Sequence, residues 1–183
     1  RDFGDRTDRK HARLKYVVAE KGVEFMREEV NKRAGITLAP AKPYQFTTTQ
    51  DLLGWHKAAN GNWFLGLFVN MGRVKHAQKT ALRQVAEKFP HLQFRLSANQ
   101  NVILANASDA DKTAITAVLN AAAVKTENQA TVLHAASMAC PSLPTCGLGL
   151  AESERYLPGL IDRLEKVCAD LGLGGEEVII RST

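Results

Sequence analysis

The chain has 183 residues, of which 45% are hydrophobic and 23% charged, a balance typical of a soluble globular protein with one ordinary domain or two small ones. No apolar stretch approaches the roughly 20 residues that span a bilayer, and the charged start of the chain is unlike a secretory signal. The odd count of three cysteines argues against a secreted disulfide scaffold and favours a reducing, cytoplasmic compartment.

The net charge of +5 is uneven along the chain. Residues 1–16 contain three aspartates and six basic side chains. The basic residues are Arg1, Arg6, Arg9, Lys10, Arg13 and Lys15. Such a run favours an anionic partner, for example nucleic acid, phosphate or a polycarboxylate ligand. On charge alone, a solvated terminus is the simpler interpretation. Because the first residue is not Met, we expect the chain to be a piece of a longer protein.

Two segments precede the first predicted strand. Residues 17–34 place apolar side chains at helical spacing, with Gly22 weakening the pattern and Gly35 as the expected stop. Residues 36–50 contain two prolines and a polar tail. This composition predicts an extended connecting segment.

A repeated pattern of strand, strand and helix follows. The predicted strands are residues 52–58, 62–70, 92–98 and 101–107, and the predicted helices are residues 74–89 and 108–124. Asn60, Gly61 and Asn62 are typical of a hairpin turn, and Ser108 is a favourable helix N-cap. The pattern predicts an α+β fold in which helices cover one face of an antiparallel sheet.

Apolar side chains in this segment indicate the core. Leu92, Phe94 and Leu96 alternate along their strand, which predicts one half-buried face. The aromatic side chains assigned to the core are Trp55, Trp63, Phe64 and Phe68.

The last part of the chain has a different character. Residues 125–137 form a polar bridge, and Leu150–Leu171 has the strongest helical pattern in the chain. Its apolar stripe consists of Leu157, Leu160, Ile161, Leu164, Val167, Cys168 and Leu171. Glycines end the helix, and residues 176–183 begin a strand.

Cys140 and Cys146 lie in the segment CPSLPTC. Spacing alone leaves two interpretations equally open: two unrelated buried thiols, or half of a metal–sulfur site. Two prolines stiffen the segment, and a helix predicted to follow at once would favour thiolates through its dipole. A four-iron cluster needs four such ligands. Cys168 is assigned to the core, and a lone loop residue such as His134 is a weak candidate.

The segment SMACPSLPTCGLGLAESERYLPGLID resembles the first cluster-binding motif of the sulfite and nitrite reductases that use sirohaem. Within this family it is most similar to the haemoprotein of assimilatory sulfite reductases. There a second pair, Cys-x3-Cys, follows one helix and one strand later. The segments DRKHARLKY, ITLAPAKPY and FRLSANQNVILA resemble other family motifs in the same order. We therefore expect the second pair to lie beyond Thr183.

The resemblance implies a fold and a domain organisation. The fold is an α+β, ferredoxin-like antiparallel sheet with helices on one face, flanked by pieces of the adjoining sirohaem and Fe–S domains. Residues 1–35 would end the preceding sirohaem and substrate domain, and 36–50 would be a linker. Residues 51–126 would form the ferredoxin-like half domain. Residues 127–183 would begin the Fe–S and sirohaem domain.

The resemblance also implies roles for individual residues. Arg13 and Lys15 would bind the substrate anion, with Lys15 the better proton donor, because an arginine pKa is too high for proton delivery. The family pattern has lysine where this chain has Arg13. Side chains expected to meet sirohaem are Arg9, Lys10, Asn99, Gln100 and Asn101. Cys140 and Cys146 would be cluster ligands.

The implied reaction is the six-electron reduction of sulfite to sulfide in sulfur assimilation. The full-length enzyme would hold sirohaem and a 4Fe-4S cluster, and we expect the isolated chain to lack both. Its partners would be sulfite and an electron donor, either a flavoprotein reductase subunit or ferredoxin, with no membrane or nucleic acid.

Two alternatives stay open at this point. The first is a sirohaem nitrite reductase, which makes ammonia from nitrite; Lys15 favours sulfite, because nitrite enzymes tend to carry asparagine there. The second is a chain without chemistry of its own: an inactive, cofactor-free module, or a ferredoxin-like binding module whose basic segment contacts nucleic acid.

Overall fold

The computed structural model describes residues 2–128 and 130–183, and of Arg9 it describes the backbone alone. The chain divides into two compact units, one ending at Phe46 and the other spanning Thr47–Thr183. Among the described residues, every helix is too short or too polar to cross a membrane.

The first unit is built around one long helix. A 3₁₀ turn at Arg9–His11 precedes helix α1, Leu14–Ala34, which begins three residues before the predicted start. Gly22 has φ 84° and ψ 163°, so it interrupts the helical geometry as expected of a glycine inside the pattern. Gly35 adopts the left-handed conformation that ends many helices, with φ 65°. Residues 36–50 form neither helix nor strand.

The second unit contains the predicted four-stranded sheet. Its strands and covering helices are β1 (Gly54–Lys57), β2 (Trp63–Leu67), α2 (His76–Lys88), β3 (Gln93–Leu96), β4 (Val102–Ala107) and α3 (Asp109–Ala121). All strand pairs are antiparallel, in the order β1-β2-β4-β3. The two helices pack together over one face of the sheet. The predicted α+β class is confirmed.

The core of the sheet lies between these helices and the two central strands. Leu65 of β2 and Leu104 of β4 are paired and fully buried, and they meet Ile115 and Leu119 of α3. The burial follows from the period of two in the strands and of 3.6 in the helix. Gly66 is required at this point, because a Cβ there would lie 2.0 Å from the carbonyl oxygen of Leu52.

The prediction for the edge strand β3 is half wrong. Phe94 and Leu96 pair with Leu104 and Val102 and so face the helix side, but they are 41% and 86% exposed. Only Leu92, just before the strand, is buried. Alternation along a strand determines which face of the sheet a side chain lies on. Burial also requires that another part of the protein cover that face at that position.

The assignment of four aromatic residues to the core is confirmed for Trp55 and Trp63, which are partly buried against it, and is wrong for Phe64 and Phe68. Trp55 and Trp63 pack against it, while their indole N–H groups donate to Thr116 and Asp109 at the rim. The amphipathic indole explains this position, because its polar edge needs a partner. Phe64 stacks on His56 on the opposite face of the sheet, with ring centroids 5.4 Å apart, and Phe68 contacts the ring of His134.

A second apolar cluster lies beyond the sheet. It joins α4 (Val132–Ala136), β5 (Met138–Ala139), α5 (Leu157–Asp170) and β6 (Arg181–Ser182). Strands β5 and β6 pair in parallel. The buried members of the cluster are Met71, Leu133, Ala139, Leu157 and Ile161. Helix α4 lies in the segment predicted to be a polar bridge, where Thr131 caps it by accepting from the His134 N–H.

Helix α5 begins at Leu157, seven residues later than the sequence pattern predicts. Pro158 lies in its first turn, a position that proline favours because its missing N–H is not needed there. The residues before it turn instead, and Ser153 is buried with its hydroxyl 2.7 Å from that of Ser182. Of the predicted stripe, Val167 and Leu171 are exposed at the far end of the helix.

Candidate metal centre

Cys140 and Cys146 are free, half-buried thiols at the two ends of one turn of chain. Cys140 directly follows β5, and its N–H donates to the Ser182 carbonyl at 2.9 Å. The Cys146 N–H donates to the Ser142 carbonyl at 2.7 Å. The backbone therefore holds both thiol-bearing residues in place. We call residues 140–151 the cysteine loop.

The cysteine loop is folded tightly onto itself. Ser142 is buried, with φ 46°, and its hydroxyl donates to the Ala151 carbonyl at the other end of the loop. The Leu143 N–H donates to the same carbonyl at 3.2 Å. A Cβ on Gly149 would lie 2.9 Å from the Ser142 hydroxyl oxygen, so only glycine fits there without a shift. The bond between Leu143 and Pro144 is cis.

The two thiols are the right type of ligand for an iron–sulfur cluster, but two are fewer than a four-iron cluster needs. Thiolates are the usual ligands of such clusters, and a four-iron cluster takes four of them. Cys168 packs on α5 against the second apolar cluster, in agreement with its assignment to the core. The loop thus offers two thiols, half of the number that a four-iron cluster takes.

The expectation that a helix N-terminus directly follows the thiols is wrong. Residues 150–156 turn, and α5 begins only at Leu157. Support for the thiols comes from the backbone hydrogen bonds of the loop, whereas the sequence pattern had indicated a helix dipole.

Asn99, Gln100 and Asn101 lie at the tight turn between β3 and β4, as predicted. The Asn99 amide donates to the Thr49 carbonyl at 2.8 Å and to Asp51 at 3.2 Å. Asn101 is buried; its amide nitrogen donates to Asp51 at 2.8 Å, and its amide oxygen accepts from the Val69 N–H at 2.9 Å. These two side chains hold the turn itself.

Asp51 is a residue that the sequence pattern did not single out. Its carboxylate accepts hydrogen bonds from the Ser97 hydroxyl and from the amides of Asn99 and Asn101. Its partners lie more than forty residues away in sequence, and local spacing contains no signal for such a contact.

Gln100 points away from that network and towards the cysteine loop. Its φ is 65°, and its amide nitrogen donates to the Ala139 carbonyl at 2.9 Å. Its amide oxygen is buried and has no hydrogen-bond partner among the described residues. Gln100 also lines a cavity of about 350 Å³, together with Met71, Leu96, Asn101, Pro141 and Glu154.

The predicted basic residues belong to the first unit, and the cysteine loop belongs to the second. Lys10, Arg13 and Lys15 have exposed side chains, and the Lys15 ammonium lies 4.9 Å from the Tyr16 ring centroid. Arg13 immediately precedes α1 without capping it through its side chain. The side chain of Arg9 lies outside the described part of the chain.

His134 lies beside carboxylates of helix α5. Its Nδ1 is 3.4 Å from a Glu165 oxygen, and the Thr131 hydroxyl donates to that same oxygen. Ligand atoms of His134, Asp162 and Glu165 all lie within 4.8 Å of one another. This group of side chains connects α4 to α5. Because Glu165 accepts a hydrogen bond from Thr131, the residue that caps α4, its carboxylate already has a structural role.

The fold defines a ferredoxin-like α+β half domain that carries a cysteine loop on its flank. Residues 56–122 match the nitrite/sulfite reductase ferredoxin-like half domain. This match agrees with the family that the sequence motifs had indicated.

Relatives extend the similarity to the entire chain. It is 42% identical over 187 residues to the sulfite reductase [NADPH] hemoprotein beta-component of Paenibacillus sp. (strain JDR-2) and to that of Geobacillus kaustophilus, and 40% identical over 193 residues to that of Salmonella arizonae. Each alignment covers 100% of this chain and 32% of the relative. The chain therefore spans about a third of the length of these relatives.

A solved structure shares the fold. The Mycobacterium tuberculosis NirA protein superposes with a TM-score of 0.70 and 24% identity, covering 100% of this chain and 34% of that one. The ferredoxin-like α+β fold expected from the sequence is confirmed.

Proposed function

We propose that this chain is part of a sirohaem and 4Fe-4S sulfite reductase that reduces sulfite to sulfide in sulfur assimilation, in the cytoplasm. The observation that carries the proposal is the cysteine loop, in which two free thiols are held by backbone hydrogen bonds in a chain about 40% identical to sulfite reductase haemoproteins. Free thiols in all three cysteines agree with a reducing compartment.

Cys140 and Cys146 would supply two of the four cluster ligands. The parallel register pairs Ala139 with Ser182, so Thr183 comes opposite Cys140. A Cys-x3-Cys pair that follows β6 in the full-length protein would then begin beside the first thiol. This register supports the placement of the second pair. Bound sirohaem and cluster would carry electrons from the donor to the substrate, and the protein would supply position, charge and protons.

The basic residues would bind the anions. Sulfite and the carboxylates of sirohaem are negatively charged, and exposed cations suit them. Arg13 and Lys15 would hold the substrate, with Lys15 donating a proton; Arg9 and Lys10 would meet cofactor carboxylates. The exposed side chains of Lys10, Arg13 and Lys15 support this assignment.

Of the three polar turn residues, Gln100 is the best candidate for a contact with the cofactor. Asn99 and Asn101 have their amide nitrogens bound to Asp51. Gln100 lines the cavity beside the cysteine loop and keeps a buried amide oxygen without a described partner. Its amide nitrogen also has a second N–H, which could donate to a cofactor carboxylate.

The electron donor would be a flavoprotein reductase. The relatives' name specifies NADPH, which favours such a subunit over ferredoxin. Steady-state reduction of sulfite and of nitrite by the full-length enzyme, with a chemical electron donor, tests the proposal. We expect sulfite to be the better substrate by kcat/KM; a clear preference for nitrite would assign the enzyme to the nitrite reductases instead.

A further inference from the structure

Two side chains of the half domain reach the cysteine loop at the residues immediately before its two thiols. Gln100 binds the Ala139 carbonyl, directly before Cys140. Arg73 binds the Thr145 hydroxyl, directly before Cys146, and the Glu154 carboxylate just beyond the loop. We infer that Gln100 and Arg73 are positioning residues that fix the separation and orientation of Cys140 and Cys146.

Gln100 is itself held rigidly. It sits at the β3–β4 turn with a left-handed backbone, between Asn99 and Asn101, which are both bound to Asp51. The carbonyl that it binds belongs to Ala139, a residue of β5 that is only 2% exposed. A hydrogen bond in such a dry position orients its acceptor more strongly than a solvated one.

Arg73 makes a two-pronged contact. Its Nε lies 2.7 Å from one Glu154 oxygen, its Nη2 donates to the other, and Nη2 lies 3.4 Å from the Thr145 hydroxyl. The Glu154 side chain is only 10% exposed, and its hydrogen bonds and charge raise the pKa of the Arg73 guanidinium. A planar guanidinium that binds both oxygens of a carboxylate is fixed in orientation, and a lysine at this position could not make the same bidentate contact.

Both supports come from one small region of the half domain. Arg73 directly follows Gly72, whose φ is 70° and whose missing Cβ would lie 3.1 Å from the Gln100 Cβ. Met71, one residue earlier, packs in the same apolar cluster as Ala139. The turn at residues 70–73 and the β3–β4 turn therefore form a single platform under the cysteine loop.

This inference rests on the proposed cluster-binding role of the loop, but its first test is independent of any cluster. In the 183-residue chain, the alkylation rate of each cysteine by iodoacetamide is measured by mass spectrometry. In Gln100→Ala we expect Cys140 to react about fivefold faster, the factor that corresponds to the loss of one net hydrogen bond of about 1 kcal/mol. In Arg73→Ala we expect the same for Cys146.

Matched controls separate a local effect from general loosening. Gln84→Ala removes an exposed glutamine of α2, and Arg83→Ala breaks an exposed arginine–glutamate pair with Glu87 in the same helix. Neither should change any alkylation rate. The rate of Cys168 should stay constant in every variant. Equal rates in variants and controls, or a matching rise at Cys168, would overturn the inference.

The second test uses the full-length enzyme and a spectroscopic signature. Gln100→Glu keeps the size of the side chain but removes the donor to Ala139, and Arg73→Lys keeps the charge but removes the fork. We expect both to shift the EPR signal and the midpoint potential of the cluster, or to lower its content, while Arg83→Lys leaves them unchanged. A wild-type spectrum and potential in both variants would contradict the inference. A wild-type enzyme without any cluster would refute the proposed function instead, and the alkylation rates would still decide on the positioning role.

Discussion

Lys15 and Arg13 are separated by one residue and differ in what they can do for an anion. Both carry a positive charge, but only lysine readily gives up a proton when its surroundings lower its pKa. In the full-length enzyme, Lys15→Asn should lower sulfite reduction by roughly two to four orders of magnitude, the usual range for losing a positioned acid. Nitrite carries less charge, so its reduction should suffer less.

Steady-state kinetics with both substrates, on enzyme shown to hold full cofactor, measures this difference. Arg13→Lys is the control and should be mild, because it restores the residue that the family pattern carries. If Lys15→Asn lowered both activities equally, or neither, Lys15 would not distinguish the two substrates.

Asp51 anchors the turn that carries the polar residues of the candidate site. Asp51→Ala leaves the buried amide of Asn101 without its acceptor, and it also frees Asn99 and Ser97. We expect the free energy of unfolding in urea to fall by roughly 1–3 kcal/mol, the cost of an unsatisfied buried donor. Asp170→Ala, at an exposed position at the end of α5, should change it by less than about 0.5 kcal/mol. Equal effects of the two substitutions would refute the anchoring role.

At the scale of elements, Gly149 tests how tightly the cysteine loop is closed. In Gly149→Ala the new methyl group would meet the Ser142 hydroxyl and the Leu143 N–H at 2.9 and 3.0 Å, and both groups are bound to Ala151. We expect a loss of about 1–3 kcal/mol in the free energy of unfolding, typical of overpacking. The matched control is Gly147→Ala, where a Cβ meets nothing within 4 Å. A Gly149→Ala protein as stable as the control would show that the loop is loose.

The N-terminus of α3 gives a prediction for pH. The Ser108 N–H, the Ser108 hydroxyl and then His91 hold the pKa of Asp111 below its ordinary value of 3.8. A lowered folded pKa stabilises the folded state above the unfolded pKa, and that contribution is lost as the pH falls through the folded value. Asp111→Asn should therefore cost about 0.5–1 kcal/mol at neutral pH.

Urea unfolding across pH measures this contribution. The difference between Asp111→Asn and wild type should shrink as the pH falls below 3.8, because the carboxyl then becomes protonated in both states. Glu87→Gln, an exposed change in the last turn of α2, should show a much smaller difference. A deficit of Asp111→Asn that stayed constant with pH would exclude the charge as its cause.

The elements with strong local signals are those that the sequence predicted well. Ser108 caps α3, and the strands of the sheet follow their alternation, because these properties depend on residues a few positions apart. The start of α5, the exposure of Leu96 and the Asp51 network depend on contacts distant in sequence. The candidate cysteines were found through their motif. The sequence named Gln100 only as a possible cofactor contact, and its hydrogen bond to the cysteine loop, like that of Arg73, became visible only in three dimensions.

At the scale of the whole molecule, the question is whether the 183-residue chain alone can bind sirohaem and an iron–sulfur cluster. Its cysteine loop contains two thiols, and a four-iron cluster requires four thiol ligands. We expect the purified 183-residue chain to carry neither sirohaem nor an intact cluster. An absorption spectrum and an assay for acid-labile sulfide measure both. A stoichiometric sirohaem band, with about four sulfides per chain, would show that this chain alone completes the sites.

The central claim is that Cys140 and Cys146 are cluster ligands of a sulfite reductase, and the most direct measurement is the iron and acid-labile sulfide content of the full-length enzyme with single cysteines replaced. Cys140→Ser and Cys146→Ser should each lose the cluster, with sulfide falling from about four per chain towards zero. Cys168→Ser, which changes a thiol packed in the apolar cluster of α5, should keep it. A full complement of iron and sulfide in both loop variants would contradict the claim.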